Sequence, residues 1–212
     1  MRKPASVAAL DRLGRVRLSQ NFIMREFLHS EVANFHGIPN IPDDPDLAIT
    51  VGRALCSELL EPLQASFGRI VIRSAYRSPE VNGFCNAQQR AGHAGYSCAV
   101  NEANYAGHIW DRRDADGLSG ATASIMIPWF ADRYADGADW RGLAWWIHDH
   151  LPYSTLQFFP RMAAFNIGWH ERPKRRIDSF IAPKGCLTRP GMDNHGGRHD
   201  VAYEGFPPLC SA

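Results

Sequence analysis

Arg69-Ile70-Val71-Ile72-Arg73-Ser74-Ala75-Tyr76-Arg77-Ser78-Pro79 is where the chain changes character. Its first half is short and β-branched, the composition of a strand. Its second half ends on a turn residue and a proline, so the strand stops there. Before this stretch the pattern is helical. Leu47, Val51, Leu55, Leu59 and Leu63 recur at four-residue steps through Asp46–Phe67, and Gly68 follows as a stop. Pro62 is an interior breaker, so a kink is expected there. Shorter helical turns are expected at Phe22–Leu28 and Ser30–His36, the second closed by Gly37. After the stretch come strands at 121–127, 156–159, 165–170 and 176–181. A helix capped by Asp139 runs between them to Leu151. Helices first, then strands with one interposed helix, predict an α+β domain.

Two segments lack periodicity. Residues 86–117 read as a long insertion loop, of the kind that carries function when it occurs in a compact domain. Residues 183–212 are Gly/Pro-rich and polar and read as an irregular tail. Residues 1–17 read as an N-terminal extension, leaving 18–182 as the domain proper.

Composition bounds the function. The chain has 212 residues, 45% hydrophobic and 21% charged, which is ordinary for a globular domain. Its 23 basic and 22 acidic residues give a net charge of +1, a balance that excludes a basic nucleic-acid surface. No apolar run reaches the ~18–20 residues of a membrane span. The start, Met1-Arg2-Lys3, is too soon followed by Asp11-Arg12 for a secretory signal, so synthesis in the cytoplasm is expected. The 5 cysteines form no CxxC pair and are expected as free thiols, although Cys85 and Cys98 could close one loop in an oxidising setting. The 9 histidines raise the question of a metal.

Several separated motifs carry a resemblance. Leu18-Ser19-Gln20-Asn21-Phe22, Glu26-Phe27, Gly37-Ile38-Pro39-Asn40-Ile41-Pro42, Leu60-Glu61-Pro62-Leu63, Phe67-Gly68 and Arg73-Ser74-Ala75-Tyr76-Arg77-Ser78-Pro79 occur in the order of the M15 peptidase family. These are zinc D-alanyl-D-alanine carboxypeptidases and endolysins. The resemblance implies the hedgehog/D,D-peptidase fold: an antiparallel sheet packed on the N-terminal helices. It also implies a substrate class, the peptide of bacterial peptidoglycan. Arg77 takes the place of the family arginine that contacts substrate carboxylate or carbonyl oxygens. A guanidinium fork suits that task because it is always charged and pairs bidentately.

The family's zinc signature is altered. In one alignment Gly117 and Ser124 stand where the family has a histidine and an aspartate, and neither supplies a zinc ligand at neutral pH. In the other, His108 is the first ligand, with Asp114 six and Asp116 eight residues on where the family spacing is seven. His170, in Asn166-Ile167-Gly168-Trp169-His170-Glu171, matches the later zinc histidine. The implied zinc set is therefore His108, Asp116 and His170. Ile167 occupies the place of a general base, and Glu171 is the remaining carboxylate nearby. Adjacent strand residues point to opposite faces, which makes Glu171 an indirect replacement. His148-Asp149-His150 reads as structural, with His150 favoured near a helix C-terminus.

Two functions follow as expectations. One is an M15-like protein without catalysis that binds cell-wall peptide or glycan, or serves as a component of a phage-like particle with protein partners there. The other is an active zinc D,D- or L,D-peptidase. Either would act at the cell wall or in a virion.

Overall fold

Serines and an aspartate open the helices of this chain, as their short side chains are able to do. In the computed structural model, which describes residues 1–210, Ser6 Oγ accepts from Ala9 N at the start of α1 (Val7–Gly14). A short α2 (Met24–Phe27) follows. Ser30 caps α3 (Glu31–His36), which ends on Gly37 in the left-handed conformation. The leucine-stepped helix forms as α4 (Pro45–Leu55), a π turn at Cys56–Leu60 and α5 (Glu61–Phe67). Glu61 N–H reaches Cys56 O across the wider turn just before Pro62. The break expected at the proline is thus taken up as a π turn, a known way to relieve the helix ladder.

β1 (Val71–Ser74) leads through the Tyr76–Ser78 turn into α6 (Pro79–Arg90), whose cap is Ser78 and whose first residue is the proline. Residues 86–117 are therefore not all loop. They begin inside α6 and contain the short α7 (Asn101–Asn104). β2 (Gly120–Met126) follows. Pro128, expected only to stop a strand, opens α8 (Pro128–Ala135). The Asp139-capped helix is α9 (Trp140–His150).

The later strands are β3 (Thr155–Phe158), β4 (Phe165–His170), β5 (Arg176–Ser179) and β6 (Gly185–Thr188). Among the described residues they join one six-stranded sheet in the order β1-β2-β4-β3-β5-β6. The expectation of an antiparallel sheet needs correcting, because the sheet is mixed. β3 pairs antiparallel with β4 (Thr155↔Gly168) but parallel with β5 (Thr155↔Arg176). The cause is the link 171–175, which starts where β4 ends beside the start of β3. It steps past β3 and lets β5 run alongside it.

The described chain forms two compact units. One comprises Met1–Ala54 and Ser74–Ala123; the other comprises Leu55–Arg73 and the chain from Ser124 onward. Residues 1–17 belong to the first and the segment after 183 to the second. The first unit's core is aromatic, with Phe27 against Phe22 and Trp110, and Tyr76 edge-on to Trp110. The second unit packs Phe67 against Trp129, Trp146 and Phe206, and stacks Phe158 on Phe165. Burial of such rings supplies most of the driving force for folding. No helix among the described residues is long and apolar enough to cross a membrane.

Candidate functional site

Asn40 joins two of the motifs on which the resemblance rests. Its amide nitrogen donates to Tyr76 O and to Leu28 O, and its amide oxygen accepts from Ser78 N at 2.7 Å. Ser78 Oγ donates to Pro39 O and accepts from Val81 N. Tyr76 N donates to Phe27 O, and Arg77 N donates to His108 O at 2.8 Å. The Ala75–Ser78 turn has no strand partner to hold it, so these bonds from α2, the 37–42 loop and the 105–110 segment define its shape.

The turn presents Arg77. Among the described residues this guanidinium has no ion pair. Its Nη1 donates to Cys98 Sγ at 3.2 Å, and sulfur is a weak acceptor. Burial pushes its pKa down to about 10, with the charge of Glu31 acting the other way, so the group stays a cation at neutral pH. A mostly desolvated cation without a counter-ion is costly unless something pairs with it.

His108 sits next to this cation and is 6% exposed. Its Nδ1 lies 2.8 Å from Ala75 O, which can only accept, so Nδ1 carries the hydrogen. The bare Nε2 is buried with no hydrogen-bond partner in the protein. Burial and then the Arg77 charge push the imidazole pKa down to about 3, so the ring is neutral. Tyr76 Oη and Asp111 Oδ1 are also buried without a partner in the protein. Burial and then the Asp111 charge push the Tyr76 hydroxyl pKa up. Asp111 Oδ2 accepts from Asp43 N, holding the 42–44 turn. Buried polar atoms without partners are few in native proteins; of the three in this unit, Tyr76 and Asp111 act on each other.

The expectation of free thiols at Cys85 and Cys98 is overturned. The two form a disulfide across 13 residues, tying α6 to the segment that touches Arg77. The pair named as the alternative is the one that forms, and side chains bring the 94–98 segment back to α6: Asn86 Nδ2 donates to Cys98 O, and Cys98 N donates to Gln89 Oε1. Asn82, fully buried, bonds Ala99 O and Asn101 Oδ1 and accepts from Asn104. These asparagines give the insertion its order and were not singled out from the sequence.

The remaining expected residues are dispersed. Asp116 is exposed in a tight turn where Asp114 Oδ1 accepts from Asp116 N and Leu118 N. Gly117, at the family histidine's place in one alignment, has φ +76°, a conformation that favours glycine over any ligand-bearing residue. Ser124 Oγ donates to Asn166 Oδ1. His170 is 8% exposed, with Nδ1 3.0 Å from Arg172 N, and Glu171 is exposed just beyond β4. Ile167 is fully buried, so the general-base position belongs to the core.

Among the described residues, one group of three potential ligands lies close enough for a shared ion. Its members are His148, Asp149 and His199, whose ligand atoms fall within 4.8 Å of one another, rather than His108, Asp116 or His170. These three could hold a metal ion, but every ring nitrogen and carboxylate oxygen is already engaged. His199 Nδ1 faces Asp149 Oδ1 at 2.8 Å and its Nε2 faces Asn194 O at 3.0 Å. Both ring nitrogens thus face oxygen acceptors. His148 Nε2 donates to His195 O, and its Nδ1 accepts from Tyr153 Oη at 2.7 Å. Asp149 Oδ2 also accepts from His199 N and Tyr203 Oη. Burial raises the Asp149 pKa, but the His199 and Tyr203 bonds lower it further, and the net shift is downward. Arg175, donating to His148 O and Leu151 O, adds a positive charge at this helix end. The group as it stands is a clasp, and an ion bound there would replace some of these bonds. The zinc implied by the resemblance has no matching ligand set here, and no chemical step is derived through it.

No family model, curated protein or solved structure matches the chain.

Proposed function

We propose that the chain is an M15-like, cell-wall-directed protein that binds the peptide of peptidoglycan through Arg77 without cleaving it. On this reading its sheet and N-terminal helices are a variant of the hedgehog/D,D-peptidase fold, and it works at the wall or in a phage-like particle. The observation that carries the proposal is the desolvated guanidinium of Arg77, charged and without an ion pair. A terminal carboxylate would supply the missing partner, and a charge-assisted bond of this kind contributes about 1.5–3 kcal/mol. Neutral His108 is buried beside the cation, and its Nδ1 bond to Ala75 O steadies the turn that carries Arg77. Asn40, Ser78 and the Cys85–Cys98 bridge hold the site in advance of binding, which lowers the ordering cost.

Calorimetric titration with a peptide ending in D-alanyl-D-alanine, and with the same peptide capped as an amide, tests this. The free carboxylate should bind at least tenfold tighter than the amide. Equal affinities, or no binding of either, would overturn the proposal. One observation favours the alternative, an active zinc peptidase: a histidine whose Nδ1 is anchored on a carbonyl and whose Nε2 is bare has the orientation of a metal ligand. Stoichiometric zinc in the purified protein, lost in His108→Ala, together with cleavage of muropeptides, would establish that alternative.

A further inference from the structure

The bond from Arg77 to Cys98 has a second meaning, because the sulfur it touches is half of a reducible bridge. Arg77 Nη1 lies 3.2 Å from Cys98 Sγ, and Cys98 Sγ is bonded to Cys85 Sγ. As a disulfide sulfur, Cys98 carries no charge and leaves the guanidinium available. As a thiolate, it would be the counter-ion that Arg77 lacks. We propose that Cys85–Cys98 is a thiol–disulfide exchange site in which Cys98 is the Arg77-stabilised sulfur, and that its reduction closes the Arg77 site to carboxylates. The second clause rests on the binding function proposed above; the first does not.

The chemistry balances with a dithiol as the reductant. One thiolate of the dithiol attacks Cys85 Sγ. The S–S bond breaks, and its electron pair leaves on Cys98, where the guanidinium holds it. The second thiolate of the dithiol then displaces Cys85 from the mixed disulfide. The protein gains two electrons, Cys85 takes up one proton as a thiol, and the dithiol is oxidised to its own disulfide. Thiolates beside arginine are stabilised, and a stabilised thiolate is the better leaving group, so the polarity of the exchange follows from which sulfur Arg77 touches. Cys85, inside α6, has no cation hydrogen-bonded to it among the described residues. The residues are buried, at 2% and 6% exposure, and the chain between them includes the exposed span from Ala91 to Gly95, whose Gly92 and Gly95 both have positive φ. Cys56, Cys186 and Cys210 remain outside the pair and serve as internal references.

The test uses the full chain in two arms. In the first, the protein is reduced with a dithiol, its fold is checked by near-ultraviolet circular dichroism, and iodoacetamide labelling is followed cysteine by cysteine by peptide mass spectrometry at pH 7. Cys98 should react about tenfold faster than Cys85. That advantage should disappear in Arg77→Gln and persist in Arg77→Lys. Equal rates for the two cysteines, or a Cys98 rate untouched by Arg77→Gln, would overturn the exchange site. If the reduced chain unfolds, the Cys98 rate and its loss on Arg77→Gln are measured in Cys85→Ser, which frees Cys98 without reductant, against Cys56, Cys186 and Cys210 as references. In the second arm, the D-alanyl-D-alanine peptide is titrated into oxidised and reduced protein, with about tenfold weaker binding expected on reduction. Equal binding in both states would overturn the closure. If neither state binds peptide, the binding function fails while the first arm still decides the exchange site.

Discussion

Arg77 and His199 are both withdrawn from bulk water, yet their surroundings are opposite. His199 is met on each side. Asp149 Oδ1 faces its Nδ1 and Asp149 Oδ2 accepts from its backbone N–H, Asn194 O faces its Nε2, and Trp145 stacks on the ring at 3.9 Å. Arg77 is met by one sulfur, and the neighbouring His108 has a bare nitrogen. The difference separates structure from function. A cluster that satisfies itself, such as Asp149–His199–Tyr203, fastens the C-terminal segment to α9. A cluster left unsatisfied at a cost to stability is where a ligand is expected. In this chain the close group of ligand-type residues is also closely bonded, and the loosely bonded group is where the proposed ligand would sit.

This contrast can be broken most forcefully from the clasp side. Asp149→Ala should lower unfolding stability by about 1–3 kcal/mol, because it removes a carboxylate whose side chain is 1% exposed and leaves the His199 N–H and Tyr203 Oη without this acceptor. Urea unfolding measures it, and limited proteolysis should show earlier cutting near residues 195–203. A neutral substitution would mean that the cluster fastens nothing.

Next in size is a pH effect at His108. Its pKa falls from an ordinary 6.5 to about 3 on folding, so the unfolded chain binds the extra proton between those values. The contribution of the neutral ring is fully present above pH ~6.5 and is lost as pH falls towards 3. Each unit corresponds to about 1.4 kcal/mol, so roughly 2 kcal/mol should be gone by pH 5. His108→Gln should flatten that slope, and an unchanged slope would contradict the buried neutral ring.

A smaller effect is expected at Gly142, on the α9 face that receives the C-terminal segment. An added Cβ there would lie 2.9 Å from Ala202 O, which is backbone and cannot swing away. Gly142→Ala should cost about 1–2 kcal/mol in the same unfolding assay. The smallest effect is expected at Arg77 itself. Arg77→Gln should change stability by less than about 1 kcal/mol, or raise it, since it removes an unpaired desolvated charge.

Much of the fold was legible because its signals are local. Ser30 and Gly37 bracket α3, Asp139 caps α9, and the four-residue leucine steps mark α4 and α5. What could not be read depends on partners far along the chain. The parallel pairing of β3 with β5 is decided by where the 171–175 link crosses. Pro128 is equally at home ending a strand and starting a helix, and α8 is the outcome. The disulfide needs the asparagine bonds that return Cys98 to α6. The tail at 183–212 looks irregular in sequence, yet Tyr203 and His199 find Asp149 about fifty residues away. Of the candidate site, the motifs around Arg77 were legible from residue order, and Asn40 and Ser78 do bind them together. The lack of an ion pair at Arg77 was not, because the absence of a partner is a property of packing.

The central claim, that Arg77 is kept unpaired for a ligand rather than for the fold, is tested most directly by titrating the D-alanyl-D-alanine peptide into the native chain and into Arg77→Gln whose unfolding stability has been measured alongside. The account predicts a variant at least as stable as the native chain to within about 1 kcal/mol that binds the peptide ten- to a hundredfold more weakly, the loss of one charge-assisted pair. A variant that loses several kcal/mol of stability, or binds the peptide as well as the native chain, would contradict it.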